Sequence, residues 1–588
     1  MALFTPSASP AVTVKEVDLT GVVPNVQTST GAFVGNFGWG PVGVATLVSD
    51  ESGLVSTFSA PTDDTTVDFH SAAYFLRYSN SLFVVREQDS DALNAVGSNS
   101  NVSISAQTIN NLDAFEGLTV DSSDGAFLAK YPGELGNSIK ISLIGSDSDN
   151  GGATNYNAWA YKDKFDAAPG TSTFVSDLGG KNDEIHVAVV DEDGLISGVK
   201  NTVLETFPFL SVAKNAKRAD GTSNYYVDVL KNQSQWVYAG AFHRNGAPTE
   251  NDFSGSNWGQ NATTGAEDFA ADSAASVMQT EFSFQSGVTS SSLGTDDVLR
   301  GFDKFEDKDN IEVDFLIAPE ALTDGAATTI VNDLVTTAGT TRKDCVVVAS
   351  PSRAAAVTTG TNAAIIACGN TFTKSSYLVQ DNNYLKVFDK YNDKYIKIPA
   401  NSSTAGLMAA TDLVAAPWFS PAGSRRGRYL GITDIVVSPT KAERDALYRV
   451  GINPIANIPG EGIMLFGDKT NESRPSAFDR INVRRLFLGI ERAVALAARN
   501  VMFEFNDEFT RAEFTNILEP FLREIQGRRG ITDFRVVCDE TNNTPAVVDR
   551  NEFIASIFIK PARSINYVTL NFVAVRTGVE FEEVVGTV

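Results

Sequence analysis

Residues 534–575 read FRVVCDETNNTPAVVDRNEFIASIFIKPARSINYVTLNFVAV, and this stretch decides the class of the C-terminal part of the chain. Phe534, Val536 and Cys538 recur at every second position, as do Val568, Leu570, Phe572 and Ala574. Period two is the signature of strands with one buried face. Turn formers separate the runs, at 542–545 (Asn542, Asn543, Thr544, Pro545) and at 560–564. The stretch predicts three β-strands, and it pairs no nucleophile with a general base.

Working backward, the pattern changes to helical. Val483, Leu486, Phe487, Ile490, Val494, Ala497 and Val501 fall on one stripe, with Arg484, Arg485, Glu491 and Arg492 off it. Thr510 and Glu513 have the spacing of a capping box and predict the start of a second helix, as Thr440 and Glu443 do further upstream. Phe514, Ile517, Leu518, Phe521, Leu522 and Ile525 form the second helix's stripe, Pro520 should kink it, and Gly527 and Gly530 should end it. A strand over 312–318, a helix over 327–337 and a strand over 345–349 make a β-α-β pattern, followed by a hairpin with arms 384–388 and 395–398. Toward the N-terminus come a glycine-rich strand and turn at 31–41, a helix over 67–78 and a strand over 81–86. Residues 88–310 are rich in Ser, Asn, Asp and Gly, with strand-like islands at 139–144, 185–190 and 225–229 and an exposed loop expected over 247–266.

The first 24 residues hold one strand-like run, Ala11, Val12, Thr13, Val14, Lys15, Glu16 and Val17, among Pro6, Pro10 and Pro24. A lone strand is unstable, so this one is expected to pair elsewhere in the chain or on another chain. A 24-residue arm reaches at most roughly 80 Å. The last residues, 577–588, with Val579, Phe581 and Val584, also lie outside any expected core.

Length and composition fit a soluble multidomain protein: 588 residues, 43% hydrophobic and 20% charged. No apolar run approaches the ~18 residues that span a bilayer, and MALFTPSASP lacks the basic and apolar regions of a signal peptide. Cys345, Cys368 and Cys538 are few and far apart, which predicts buried free thiols. The net charge of −25 is unevenly held. Residues 424–588 carry 22 Lys+Arg against 22 Asp+Glu, so the first 423 residues hold the whole excess. The C-terminal cations are arginines except for Lys441, Lys469 and Lys560. Arginine suits interface ion pairs, and the acidic remainder is a poor match for nucleic acid.

Little in the chain speaks for catalysis or metal binding. His70, His186 and His243 lack ligand spacing and are expected to be surface or packed histidines. The near miss is GIMLFGDKT at 462–470. A phosphate loop needs G-x-x-x-x-G-K-[ST], and Asp468 intrudes before Lys469, spoiling the register and repelling phosphate. A strand ending in a Gly-Asp turn is expected instead.

Several segments together resemble the tail sheath proteins of contractile-tailed bacteriophages of the T-even type. They are Ser9 to Asp18, Val34-Gly35 through Gly40-Pro41, YPGELGN at 131–137, Asp412 with WFSPAG at 418–423, Ile452-Asn453-Pro454, GDKT at 467–470, FDRINVRRL at 478–486, and the strands after Phe534. One departure is a short connection: roughly 45 residues lie between Arg86 and Tyr131, where T-even relatives carry a long outer insert.

The resemblance implies an α+β, multidomain fold. It would have a mixed α/β core (25–87 with 311–423), a peripheral β-rich domain (88–310), and a C-terminal α/β domain (424–576) completed by extended arms (1–24 and 577–588). It also implies a non-enzymatic virion protein, assembled in the host cytoplasm, that forms six-fold rings stacked helically around a tail tube and contracts to drive the tube through the host envelope. The implied partners are other copies of the chain, the tube, the baseplate and a terminator, with no cofactor, nucleic acid or membrane. Residues 11–17 with Val579, Phe581 and Val584 become candidates for strand exchange, and Arg523, Arg528 and Arg529 for the tube contact. The alternative, a surface-layer or adhesin-type assembly protein, would be acidic and β-rich too but would carry a signal peptide.

Overall fold

Runs such as FLI at 315–317 and VVVA at 346–349 are apolar on both faces. That composition suits strands covered from both sides, as in a parallel sheet. The computed structural model describes residues 28–98, 108–119, 125–146, 153–240, 257–265, 267–269, 279–290 and 292–566. The chain divides into two compact units, one formed by Gln27–Pro417 with Pro421–Arg484, the other by Met1–Val26, Trp418–Ser420 and Arg485–Val588.

The larger unit holds a seven-stranded sheet in the order Ile452–Asn453, Leu378–Asp381, Val346–Ala349, Phe315–Ile317, Gly31–Gly35, Leu82–Arg86, Thr46–Val48. Every pairing is parallel except that of the edge strand Thr46–Val48. The expected β-α-β unit is here: Phe315–Ile317 and Val346–Ala349 are parallel neighbours joined through helix Asp324–Thr336. Thr323 caps that helix by accepting from the Ala326 amide, and Ala327, Ile330, Val331 and Leu334 face the core at helical spacing. The hairpin Tyr384–Asp389 with Lys394–Pro399 forms as expected and gains a short third strand, Asp434–Ile435.

A second seven-stranded sheet, antiparallel throughout, is built from strands between Asn94 and Gln285. One expectation fails in this region and another holds only in part. Residues 225–229 are not a strand; helix Tyr226–Gln233 occupies them and buries Tyr226, Val227, Val229 and Leu230. Aromatic and β-branched residues favour strands on propensity, and tertiary burial overrides that preference. The polar stretch expected to be an exposed loop buries Trp258, whose indole N–H donates to the Phe269 carbonyl at 2.6 Å. Residues 247–256 and 266 of that stretch lie outside the described residues.

Burial also reaches charged groups. Arg86 is fully buried and donates to the Gly40 and Pro132 carbonyls at 2.8 and 2.7 Å. Burial pushes its guanidinium down to about 9. Cys345 and Cys368 are buried and Cys538 half-buried, and none of the three forms a disulfide among the described residues.

At the carboxyl edge of the parallel sheet, Asp381 accepts from Ser350 Oγ (2.8 Å), Thr404 Oγ1 (3.1 Å) and the Asn383 amide (3.2 Å). Burial pushes its carboxyl up to about 7, against those three bonds, which favour the ionised form. A folded-state value above the ordinary 3.8 means that the folded chain holds this proton more tightly than the unfolded chain does. The stabilisation is full below about pH 4 and is lost as pH rises toward 7. Asp68 is displaced in the same direction by the same cause. Asp381→Asn, which cannot titrate, should flatten the fall in urea midpoint between pH 4 and 7, by on the order of 1.4 kcal/mol per unit of displacement. An unchanged pH slope would assign that fall to other groups.

Candidate assembly interface

In the smaller unit, two long helices cover one face of a two-stranded sheet. Ile481–Arg499 contributes Leu486, Ile490, Ala493 and Ala497 to the packing, and Glu508–Gly527 contributes Phe514, Leu518, Leu522 and Ile525. The second helix buries residues of its expected stripe; in the first, Ala493 joins Leu486, Ile490 and Ala497, and Arg484 and Arg485, off the expected stripe, are buried as well. Strand Ile531–Val537 pairs antiparallel with Ser556–Pro561, with Val536 opposite Ile557 and Arg535 opposite Phe558. Val536, Phe534, Ile557 and Ile559 pack toward the helices, while Phe558 lies exposed and Asp533 pairs with Lys560 at 3.2 Å. The turn between the strands contains a short helix, Pro545–Val548. The expected third strand at 568–574 lies outside the described residues.

No other strand pairs with either of these two among the described residues. Both outer edges therefore present backbone groups that no strand satisfies. Arms 1–24 and 577–588, with Ala11 to Val17, Val579, Phe581 and Val584, also lie outside the described residues.

The second helix starts earlier than its sequence pattern indicates. Asp507, not Thr510, is the cap, and its carboxylate accepts from the Thr510 amide at 2.8 Å. Thr510 sits inside the first turn, so Thr510 and Glu513 form no capping box here. Asp507 competes successfully because a carboxylate at a helix N-terminus is favoured by both hydrogen bonding and the helix dipole. The capping box at Thr440 and Glu443 is present as expected. Pro520 lies within one continuous helix. At its end, Arg529 rather than a glycine takes the left-handed conformation (φ 67°), and the Gly530 amide donates to the Ile525 carbonyl at 2.9 Å.

The three arginines singled out from the sequence sit at this end. Arg523 pairs with Glu519 at 3.1 Å and Arg528 with Glu524 at 3.6 Å, both one helical turn back. Arg528 also stacks over Trp418, 5.0 Å from the ring, and its carbonyl accepts from the indole N–H at 3.1 Å. Trp418 is thus a structural residue of this unit that no helical or strand periodicity marks.

In the larger unit, the segment that nearly matches a phosphate loop is a buried joint. Asp468 accepts from Arg480 Nη1 at 3.0 Å and from the Tyr448 hydroxyl at 3.1 Å. The Lys469 ammonium donates to the Tyr448 carbonyl at 2.8 Å, and its amide donates to Asn453 Oδ1 at 2.8 Å. A lysine committed to a carbonyl is not aimed at a phosphate. His70 and His186 are both buried, and burial pushes both imidazoles down, toward the neutral form. His243 lies outside the described residues. Among the described residues no three His, Cys, Asp or Glu side chains are placed to share a metal ion.

Residues 473–574, which contain both helices and the sheet, match the family model of the phage tail sheath C-terminal domain, and residues 292–471 match that of the phage tail sheath protein central domain. The tail sheath protein of Vibrio phage KVP40 is 32% identical over 679 aligned positions, covering 98% of this chain and 99% of the relative. That of Enterobacteria phage T4 is 31% identical, with 98% and 99% covered. The chain belongs to the tail sheath proteins of contractile phages. In solved structures, the sheath tail protein of Listeria innocua shares the fold with a TM-score of 0.53 at 11% identity, covering 91% of this chain and 96% of that one.

The family segments noted in the sequence have physical roles in this sheath protein. YPGELGN supplies the Pro132 carbonyl to buried Arg86, and Gly133 takes φ 141°, where an added Cβ would lie 2.8 Å from the Gly38 carbonyl oxygen. Asp412 accepts from Thr28 Oγ1 at 2.6 Å. GDKT and FDRINVRRL meet through Asp468 and Arg480. The aligned length of 679 exceeds this chain's 588 residues, so the KVP40 relative carries residues absent here.

The capping assignment is open to test. Asp507→Ala should cost about 1 kcal/mol, the usual loss for a helix cap, whereas Glu513→Ala should stay within about 0.5 kcal/mol. Thermal melts of the full chain compare them, and equal losses would reject Asp507 as the cap.

Proposed function

We propose that the chain polymerises as stacked six-fold rings around a phage tail tube and that contraction of this sheath drives the tube through the host envelope. The observation that carries the reading is the two-stranded sheet of the C-terminal unit, which is covered on one face and has no further strand on either edge among the described residues. A two-stranded sheet is marginal alone, and each added backbone hydrogen bond contributes about 0.5–1.5 kcal/mol net. Strand addition from a neighbour supports both needs at once. In this reading residues 11–17 and the segment holding Val579, Phe581 and Val584 are the exchanged strands. Repetition through the lattice makes a cooperative mesh of individually weak links.

Within the same reading the mesh persists while subunits move as rigid bodies, and the energy of contraction is stored in a metastable assembly. The C-terminal part (424–576) faces the tube, with Arg523, Arg528 and Arg529 on its contact side. The core is formed by 25–87 and 311–423, and 88–310 lies outside with most of the family's insert missing. Baseplate and terminator bind the ends of the polymer, and assembly takes place in the host cytoplasm.

Electron microscopy of the purified full chain beside a form lacking residues 1–20 tests the mesh. Striated tubes are expected from the full chain and none from the shortened one. Equal tube formation by both would remove the N-terminal arm from the lattice, and reversal of Arg523 and Arg528 to glutamate without loss of tube binding would remove them from the contact.

A further inference from the structure

The connector between the two helices of the C-terminal unit, with the first two residues of the second helix, reads VMFEFNDEF over 501–509. Met502, Phe503, Phe505 and Phe509 are all exposed, Phe503 completely and Phe505 and Phe509 to 84% and 76%. The connector is also anchored. Asn506 donates to the Glu552 carbonyl at 2.8 Å and accepts from Arg511 at 3.3 Å, and Asp507 caps the following helix. Phe503 itself sits at φ 71°, a left-handed conformation unfavourable for a bulky residue. A fixed turn therefore holds three phenyl rings in water. Glu504, Asp507 and Glu508 surround them, and no cation occurs between 500 and 510.

A surface of opposite character lies in the larger unit. Leu430 and Phe466 are each about half exposed. Hydrogen bonds from Leu465 N to Gly427 O (2.8 Å) and from Gly423 N to Leu465 O (2.9 Å) bring Phe466 beside the turn that carries Arg425 and Arg428. Arg444 stacks over the Phe466 ring at 5.6 Å. None of Arg425, Arg428 and Arg444 forms an ion pair among the described residues, in a chain with 72 acidic against 47 basic residues.

We propose that the aromatic connector of one copy docks on the Arg425, Arg428 and Phe466 surface of a neighbouring copy. The phenyl rings cover Leu430 and Phe466, and the carboxylates of Glu504 and Glu508 meet the arginines. Aromatic anchors inside a charged rim are the usual build of a strong and selective contact. The two surfaces are different parts of the same chain, so the contact is heterologous and repeats head to tail, generating rings or helices rather than a closed pair. This inference rests on the sheath reading above.

The test uses the full chain in four forms: wild type, Glu504→Arg with Glu508→Arg, Arg425→Glu with Arg428→Glu, and all four changes together. Polymer is measured by sedimentation and electron microscopy, and melting curves check that each form is folded. Each double reversal is expected to lower the polymerised fraction at least tenfold, and the quadruple form, or a mixture of the two doubles, should restore it. Wild-type polymer with undiminished polymer from both doubles would overturn the docking and leave the sheath reading intact. Loss in both doubles without restoration would overturn the pairing of these two surfaces. Connector variants that polymerise normally but fail to bind purified tube would assign the aromatic turn to the tube instead. A folded wild type that never polymerises would overturn the sheath reading and this inference with it.

Discussion

An unpaired strand edge is a row of amides and carbonyls that must find partners, and among the described residues the sheet of the C-terminal unit has two of them. The helices Ile481–Arg499 and Glu508–Gly527 bury one face of the sheet, and no described strand pairs with either of its edges. Most folded proteins blunt such edges with charge, proline or short strands. Here Ile531–Val537 and Ser556–Pro561 are six or seven residues long, enough to pair with another strand over its full length. A polymer-forming chain can use what a monomer must hide.

The larger unit solves a different problem. Its parallel strands are apolar on both faces, so helices must lie on both sides, and polar groups gather where the strands end. Asp381 and Arg86 are buried and Asp68 half-buried at or near those ends, each held by hydrogen bonds, Asp68 by the Asn36 amide at 2.8 Å, rather than by an opposite charge at close range. This kind of burial is costly unless every bond is made. It ties the loops of the sheet to one arrangement.

How much of this was legible beforehand depended on whether local pattern and tertiary burial agreed. They agreed for Asp324–Thr336, whose apolar residues and threonine cap point the same way, and for both helical stripes of the C-terminal unit. They disagreed at Tyr226–Gln233, where aromatic and β-branched side chains read as a strand and packing made a helix. The cap at Asp507 was missed because Thr510 and Glu513 have the right spacing three residues later, and spacing alone does not reveal which oxygen reaches the free amides. The Asp468 and Lys469 turn was readable as a failed phosphate loop, but its ties to Asn453, Tyr448 and Arg480 span up to 21 residues of sequence and leave no local signature. The helical stripe ends at Val501, and no periodic pattern in the sequence marks Phe503 and Phe505 as exposed.

The chain leaves the parallel sheet after Leu82–Arg86 and returns to it through helix Thr295–Phe302, and the two points are fastened together. Arg300 pairs with Glu87 at 2.8 Å and donates to the Gln88 carbonyl at 3.1 Å, while Leu93 and Val288 exchange backbone hydrogen bonds at 3.0 Å in both directions. The antiparallel sheet between them is thus a loop closed at its neck. A mechanical pull along the backbone between those two points would load the neck first, and then the cross-ties from Arg86 to the Pro132 carbonyl and from Trp39 to Tyr131. Residues added in a turn of the antiparallel sheet away from these ties leave the neck's bonds in place.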